Sequence, residues 1–389
     1  MSNTVPKVKE FIKIFSDKIL SPDTFYVFPV ILLLALLFVA TPYLFVPDND
    51  SETINSPNPS EISALVPIPI PEETAPPMAL EELVKPMETL GPVSSILISQ
   101  HGQVISEEYF GSMHAERAHN IKSASKSILS ILTGIAIDQG FLDGVDQKIA
   151  DFFPEYFSEN TDSVKASITI GDLLTMRSGL ASTSRSNYGA WVTSNNWIQY
   201  ALSRPMRGTP GKDRIYSTGN THLLSVILAR ASGMSTLEFA NRYLFRPMDI
   251  QVGGWDRDPQ GYFLGGNNMA LRPRDLIKLG RLMMNTGTYN DEQLVPSDWI
   301  IHSVEPVTGR NGRINYGYLW FTRSAGDYHM VYAFGHGGQY LMMLPELDAV
   351  ITVTTRNGGN ESTRNYRRNL FSSIDREIIP HLEYSYTPD

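Results

Sequence analysis

The 389-residue chain contains no cysteine. This absence excludes thiolate nucleophiles, iron–sulfur clusters, cysteine-ligated zinc and disulfide scaffolds, and it leaves the redox compartment of the protein open. Positive charge is also scarce, because 32 lysines and arginines stand against 41 acidic residues and the formal net charge is -9. A chain this acidic lacks the basic surface that binding to a phosphate backbone requires. We therefore expect no nucleic-acid partner.

Two common hydrolase signatures are missing as well. The chain has no G-x-S-x-G sequence, the mark of an α/β-hydrolase nucleophile, because the one glycine with serine two positions later, Gly233, has Leu237 where the second glycine would stand. The eight histidines are scattered and form neither H-E-x-x-H nor a tight cluster, so the sequence offers no zinc-ligand set. We expect no metal and no other cofactor.

One long apolar run lies near the N-terminus. No charged residue occurs between Asp23 and Asp48, and residues 25–46 are long enough for a helix that crosses the ~30 Å apolar core of a bilayer. Lysines precede this run and acidic residues follow it. By the positive-inside tendency, this asymmetry predicts a transmembrane helix at 25–46, a cytoplasmic segment at 1–24 and a body outside the cytoplasm, periplasmic in a Gram-negative cell. A cleaved signal peptide and a buried helix are the alternatives.

Residues 47–93 are rich in proline and acid. Proline recurs too often there for a helix or a central strand, and nine acidic residues accompany the single basic residue, Lys85. Proline-rich, charged segments stay extended. We therefore predict a linker at 47–93 that joins the anchor to a globular domain at 94–389.

The sequence pattern of this domain changes twice. It begins as a hairpin of two strands followed by a helix, continues to about Asn285 mostly as helix and loop, and ends in strands and a last helix. The predicted strands are 94–100, 104–110, 316–321, 330–334, 340–344 and 349–355; the first helix carries the apolar stripe Ile128, Ile131, Leu132 and Ile135, and the last helix spans 366–379. We predict an α+β fold, with an antiparallel sheet built from both ends of the domain, flanking helices and a mainly helical inserted subdomain.

The tetrapeptide Ser123-Ala124-Ser125-Lys126 fits the pattern S-x-x-K. On a helix, this spacing places the hydroxyl and the ammonium about one turn apart on the same face, as a nucleophile and its base require. Taken alone, the pair also fits a helix cap beside a solvated lysine. No other lysine of the chain has a serine three residues before it, and the pair stands where the first helix after the hairpin begins. Amides at a helix start favour developing negative charge.

Two further motifs follow in order. Tyr216-Ser217-Thr218 and His336-Gly337-Gly338 make the sequence resemble the serine β-lactamase and penicillin-binding-protein superfamily, especially its class C and esterase-like branch, from Ser94 to about His381. Where this chain has Tyr216-Ser217-Thr218, that family has Tyr-x-Asn, whose tyrosine relays protons. Where this chain has His336-Gly337-Gly338, the family has Lys-Thr-Gly or His-x-Gly on an inner strand. The segments ITIGDLLTMRSGL and GGNNMALRPRDLIKLGRLM are also similar to the family.

The resemblance implies a β-lactamase/transpeptidase-like fold and acyl transfer through an acyl-enzyme on Ser123. Lys126, its ammonium destabilised by burial, and Tyr216 together would take the serine proton. The remaining site residues that the resemblance implies are His336 as a polar wall, Gly338 as a point of close substrate approach, and the backbone amides of Ser123 and Gln339 as the oxyanion hole.

Some of these side chains also have purely structural interpretations. Tyr216 would then be a buried tyrosine satisfied by one hydrogen bond, and His336 would bond to a backbone carbonyl without touching substrate. Tyr188, Trp191 and Trp197 are aromatic candidates for the cleft wall, but we expect them in the core.

Thr218 is the main departure from the family pattern. A threonine hydroxyl lacks the paired acceptor and donor that asparagine offers to an amide-bearing substrate, so we expect a membrane-anchored serine hydrolase of small esters or non-peptide amides. A β-lactamase or D-Ala-D-Ala peptidase is the alternative, provided that Asn220, two residues further on, returns to the same face of a strand or loop. An alternative of another class is an inactive module that binds cell-wall peptide or a partner protein. The expected substrate is a small or cell-wall-derived molecule.

Overall fold

The computed structural model describes residues 79–158, 162–307, 315–356 and 363–384. The predicted segment 1–24, the predicted anchor and most of the predicted linker lie outside these residues. Within them, no single helix is long and apolar enough to cross a membrane, although the bent pair Thr218–Ser232 and Thr236–Phe245 has the length and composition when taken together.

The elements of the described residues are numbered in chain order. The strands are β1 Val93–Gln100, β2 Gln103–Tyr109, β3 His119–Asn120, β4 Gly254–Trp255, β5 Met269–Leu271, β6 Thr288–Tyr289, β7 Glu292–Gln293, β8 Asn315–Tyr316, β9 Phe321–Ala325, β10 Tyr328–Gly335, β11 Gln339–Leu344 and β12 Ala349–Thr355. The α-helices are α1 Leu80–Val84, α2 Ser125–Asp138, α3 Pro154–Phe157, α4 Ser163–Ala166, α5 Ile170–Leu174, α6 Tyr188–Val192, α7 Trp197–Ser203, α8 Thr218–Ser232, α9 Thr236–Ala240, α10 Pro273–Met284, α11 Ser297–Val304, α12 Thr363–Ser373 and α13 Ile379–Tyr384. Short 3₁₀ turns lie at Lys85–Leu90, Lys122–Ala124, Ile149–Phe152, Arg185–Asn187 and Pro345–Leu347, and π turns at Asn241–Phe245 and Ile374–Ile378.

A seven-stranded antiparallel sheet joins the two ends of the domain. Its order is β2-β1-β12-β11-β10-β9-β8, and the register pairs Ile98 of β1 with Ile351 of β12. The N-terminal hairpin therefore adds to strands that lie about 250 residues later in the chain. This confirms the prediction that both ends share one sheet. The predicted last helix at 366–379 lies within the C-terminal helical stretch that runs from α12 through the π turn to α13.

The central strands are buried on both faces because helices cover the sheet from both sides. Every residue of β1 and β12 is buried. Along β1, Leu97 packs into the cluster that contains α2 and α10, whereas Ile96 and Ile98 pack into the cluster that contains α1, α12 and α13. Successive side chains of a strand point to opposite faces, so one run of apolar residues supplies both cores.

The folded domain begins before Ser94, which corrects the predicted end of the linker. Helix α1 and the 3₁₀ turn after it place Leu80, Val84 and Met87 in the apolar cluster on one face of the sheet. Pro86 stands at the start of the 3₁₀ turn, where a missing N–H leaves no hydrogen bond unmade. The acidic residues of this segment lie on its exposed side. Acid and proline content alone therefore could not distinguish this packed segment from a linker.

The inserted region is mainly helical, as predicted, but it also carries a small sheet of order β3-β5-β4. Asn120 of β3 pairs with Ala270 of β5. This pairing brings the residues just before Ser123 beside the segment that follows Gly266. Helix α8 packs against α2, α5, α7 and α9.

Candidate active site

Ser123 lies in the 3₁₀ turn Lys122–Ala124, directly before α2. Lys122 has a positive φ of 53°, and its backbone N–H donates to Asn120 Oδ1 at 2.9 Å. Below the turn, Ser125 donates its hydroxyl to the carbonyl of Lys122 at 2.8 Å. These bonds hold a non-glycine residue in a left-handed conformation, an uncommon arrangement that clusters at functional sites. Ser123 stays partly exposed while the following residues are buried.

Lys126 is the buried centre of the site, with 2% of its surface exposed. Its Nζ lies 3.2 Å from Ser123 Oγ, 3.2 Å from Thr218 Oγ1 and 2.5 Å from the carbonyl oxygen of Gly266. Burial lowers the pKa of Lys126, because the charged form loses its hydration, while charge and hydrogen bonding of Tyr216 act in the opposite direction. The S-x-x-K spacing thus gives the predicted serine–lysine contact, and burial favours the neutral amine that a general base requires.

Tyr216 is half-buried just before α8, and the centroid of its ring is 5.2 Å from Lys126 Nζ. The hydroxyl of Ser182 donates to the carbonyl of Tyr216 at 2.6 Å. Ser217 next in the chain accepts a bond from the backbone N–H of Thr183 at 3.1 Å. The segment 182–183 therefore fixes the backbone of Tyr216, and the structure brings the three predicted catalytic residues together.

Thr218, which stands where the family has asparagine, faces the lysine. Besides its contact with Lys126, Thr218 Oγ1 is 2.9 Å from Ser184 Oγ, and the backbone N–H of Thr218 donates to Ser184 Oγ at 2.8 Å. The threonine hydroxyl is thus engaged within the protein.

Asn220 does not take the place of the missing asparagine, which corrects the alternative held open above. Its Oδ1 accepts from Ser178 Oγ at 3.1 Å, its Nδ2 lies against Met176 Sδ, and the residue is 1% exposed. The reason is the local fold. Thr218 begins helix α8, where an offset of two residues turns a side chain by about 200° rather than returning it to the same face.

The third motif forms the turn between β10 and β11. Both strands contact the turn that holds Ser123. A Cβ on Gly335 would lie only 2.2 Å from the carbonyl oxygen of Ile121, so glycine is required for this approach. His336 is exposed at the tip, and within the described part of the chain its side chain makes no hydrogen bond or ion pair. The structural interpretation of His336, a hydrogen bond to a backbone carbonyl, is therefore not found among the described residues.

Gly338 packs against helix α12, and Gln339 is hydrogen-bonded to strand β12. A Cβ on Gly338, whose φ is +107°, would lie 2.3 Å from the ring of Tyr366. The side chain of Gln339 is fully buried and exchanges hydrogen bonds with Thr355, accepting from its backbone N–H at 3.0 Å and donating to its carbonyl at 3.1 Å. Space for Tyr366 is therefore one reason for the glycine, beside the predicted close approach of substrate. The role of the Gln339 backbone amide in an oxyanion hole stays a prediction.

Sequence reasoning missed Gly266 and Ser184. Gly266 has φ +78°, and a Cβ there would lie 2.4 Å from Lys126 Cγ. The sequence shows Gly266 only as part of a glycine pair in the segment GGNNMALRPRDL. It does not show that this pair lies beside Lys126, 140 residues earlier in the chain. Trp191 and Trp197 are buried, as expected, but Tyr188 is only partly buried and its hydroxyl accepts from Asn267 Nδ2 at 2.8 Å. Within the described residues, no group of three or more histidine or acidic side chains is placed to hold a metal ion.

The family model described as Beta-lactamase matches residues 87–372. The chain belongs to the beta-lactamase family. Its fold, its serine–lysine pair and this membership make it a β-lactamase-related serine hydrolase, and they confirm the superfamily resemblance seen in the motifs. Among curated proteins, this family member is similar to 6-aminohexanoate-dimer hydrolase of Paenarthrobacter ureafaciens, with 24% identity over 281 residues that cover 66% of this chain and 71% of the relative.

Several solved structures share the fold. A putative 6-aminohexanoate-dimer hydrolase from Bacillus anthracis has a TM-score of 0.64 and 18% identity, covering 77% of this chain and 82% of its own. EstCE1, a hydrolase with promiscuous acyltransferase activity, has a TM-score of 0.64 and 16% identity over 76% of this chain and 99% of its own. A class C beta-lactamase from Rhodobacter sphaeroides has a TM-score of 0.54 and 14% identity over 76% of this chain and 97% of its own. The same fold therefore occurs in a putative 6-aminohexanoate-dimer hydrolase, in a hydrolase with promiscuous acyltransferase activity and in a class C beta-lactamase.

Proposed function

We propose that this protein hydrolyses small esters or non-peptide amides through an acyl-enzyme on Ser123. The observation that carries the proposal is the set of three contacts of Lys126 Nζ, to Ser123 Oγ, Thr218 Oγ1 and the Gly266 carbonyl. In the neutral amine, two N–H groups donate to Gly266 and Thr218. The lone pair then points at the hydroxyl proton of Ser123, which is the orientation of a general base.

The reaction begins when the proton of Ser123 passes to Lys126, assisted by Tyr216, and Oγ bonds to the substrate carbonyl carbon. The carbonyl oxygen takes the negative charge, and the backbone amides of Ser123 and Gln339 are the donors that we assign to it. The bond to the alcohol or amine then breaks, and this leaving group takes the proton from the Lys126–Tyr216 pair. Water attacks the acyl-enzyme by the same sequence and releases the acid and free Ser123.

The proposed substrate class rests on which polar side chains near Lys126 are already hydrogen-bonded within the protein. Thr218 is already bonded to Lys126 and Ser184, and Asn220 is bonded on the far side of α8, so neither offers the amide group that a stem peptide or β-lactam side chain would pair with. An amide-bearing substrate would lose about 1–3 kcal/mol of pairing at this position. Two of the similar proteins, a 6-aminohexanoate-dimer hydrolase and a hydrolase with promiscuous acyltransferase activity, agree with this choice.

The deciding measurement is kcat/KM on a short-chain p-nitrophenyl ester, a chromogenic cephalosporin and a D-Ala-D-Ala peptide, with Ser123→Ala as the background control. We expect the ester to be the best substrate by a wide margin. Turnover of the cephalosporin or the peptide at about 10⁴ M⁻¹s⁻¹ or faster, the lower end of the usual enzymatic range, would instead establish a β-lactamase or a peptidase.

We also propose that residues 25–46 anchor the enzyme in the cytoplasmic membrane, with the catalytic domain outside the cytoplasm. The support is the uncharged stretch between Asp23 and Asp48, with lysines before it and acids after it. Protease added to cells with a permeabilised outer layer is expected to release the domain by cutting the linker. Protection in these cells, with cleavage only after lysis, would contradict the topology.

A further inference from the structure

His222 and Asp258 form a buried pair behind the catalytic lysine, and the mechanism above does not use them. Both side chains have no exposed surface, and His222 Nε2 is 2.9 Å from Asp258 Oδ2. On the other side of the ring, Nδ1 is 3.3 Å from the backbone nitrogen of Gly265. A peptide N–H only donates, so Nδ1 accepts and Nε2 carries the proton that is donated to Asp258. These contacts assign one tautomer of the neutral imidazole.

Gly265 directly precedes the residue that holds Lys126. The carbonyl of Gly266 accepts from Lys126 Nζ, and Thr221, next to His222 on α8, donates its hydroxyl to the carbonyl of Gly265 at 3.0 Å. The packing is tight, because a Cβ on Gly265 would lie 2.0 Å from the carbonyl oxygen of Thr221. Helix α8 is therefore hydrogen-bonded to this segment through two adjacent side chains, those of Thr221 and His222.

The surroundings of the imidazole isolate it from water and from other charges. The rings of Trp191 and Trp197 both pack against His222 at centroid distances of 5.6 Å. Asp258 is held in turn by the backbone N–H of Tyr262, which donates to Oδ1 at 2.8 Å. Among the described residues, Asp258 is the only charged side chain in hydrogen-bonding contact with the ring. The tautomer therefore depends on Asp258.

We propose that His222 and Asp258 are positioning residues, which fix the Gly265–Gly266 segment so that the Gly266 carbonyl aims the amine of Lys126 at Ser123. The inference rests on the proposed function, since the orientation matters for a lysine that acts as a base. The opposite tautomer would place Nδ1–H against the N–H of Gly265, and two facing donors repel. The segment would then withdraw from the lysine.

The direct test is Asp258→Asn, which keeps the side-chain shape but allows an amide to donate to Nε2 and so favours the opposite tautomer. We expect kcat/KM for the p-nitrophenyl ester to fall by about 10²-fold, the size of effect that a small misplacement of a reacting group produces. The acid limb of the pH–rate profile should also move to lower pH. A hydrogen-bond acceptor favours the ammonium, so losing the Gly266 carbonyl lowers the pKa of Lys126 further.

Asp275→Asn is the matched control. Asp275 is also a fully buried carboxylate, but its side chain accepts its hydrogen bonds from Arg272 at the start of α10 and makes none with Lys126, Gly265 or Gly266. We expect this variant to lose thermal stability and to keep the wild-type kcat/KM and pH profile per folded molecule. Asp258→Asn behaving in the same way as Asp275→Asn would overturn the proposal.

A measurement on the unmodified protein covers the case in which Asp258→Asn fails to fold. Nitrogen-15 NMR of the imidazoles distinguishes the two tautomers of His222, and we expect the Nε2–H form. The Nδ1–H form, or a protonated ring at neutral pH, would refute the inference. Undiminished ester turnover by Ser123→Ala would refute the proposed function instead, and it would leave the NMR result on the tautomer intact.

Discussion

The two walls of the candidate site are built in opposite ways. On the lysine wall, Lys126, Thr218 and Gly266 are buried or tightly packed and hydrogen-bonded to one another. On the wall formed by the β10–β11 turn, His336 is exposed at the tip and Gly337 and Gly338 have positive φ. The groups to which we assign proton transfer are thus fixed by contacts within the protein, whereas the β10–β11 turn keeps its polar side chain open to solvent. Substitutions on the lysine wall should therefore change the chemical step, and substitutions on the turn should change binding.

The largest expected effect is at the nucleophile and its base. Ser123→Ala and Lys126→Ala should each lower kcat for an activated ester by about 10⁴-fold or more, because each removes a member of a unit that acts together. Circular dichroism should show an intact fold. Substantial residual turnover in Ser123→Ala would exclude it as the nucleophile.

Labelling gives a second view of the same pair and separates an enzyme from an inactive binding module. A serine-reactive phosphonate should modify the wild-type protein at Ser123 and should not modify Ser123→Ala. A wild-type protein that resists labelling would favour the binding module.

A smaller effect is expected from the glycine that touches the lysine. Gly266→Ala should lower kcat/KM by about 10²-fold, because the added Cβ would lie 2.4 Å from Lys126 Cγ and must displace it. Gly233→Ala is the matched control, since Gly233 also has a positive φ, +68°, but has no atom within 4 Å of its Cβ position. Both variants should lose about 1–2 kcal/mol of unfolding free energy to backbone strain. If Gly266→Ala and Gly233→Ala had the same kcat/KM, the contrast between the two walls would be contradicted.

The smallest effect is expected on the opposite wall. His336→Ala should raise KM by no more than about tenfold and leave kcat within a few-fold of the wild type, as the loss of one exposed polar contact implies. The exposed His114, outside the three motifs, provides His114→Ala as the control, which should change neither constant. A fall in kcat for His336→Ala as large as that for Lys126→Ala would place this histidine in the proton-transfer machinery and would remove the distinction between the walls.

Local spacing explains most of what the sequence predicted correctly. The strand at Ser94–Gln100 and the i, i+3 spacing of Ser123 and Lys126 are set by backbone geometry over a few residues. The structure contains both. By contrast, the linker prediction failed between residues 79 and 93 because Leu80, Val84 and Met87 become core residues only once the sheet is there to cover them.

The sequence by itself determined the pair Ser123 and Lys126, the order of the three motifs and the α+β class, because these depend on neighbours along the chain. Only the tertiary structure decided that Thr218, 92 residues from the lysine, and Gly266, 140 residues from it, are its partners. It also decided that Asn220 turns away, since the same two-residue offset has opposite meanings in a strand and in a helix. Such contacts form because helix α8 packs against α2 and against the Gly265–Gly266 segment. The physical reason is that burial and close packing, rather than covalent connection, set the distance between residues far apart in the chain.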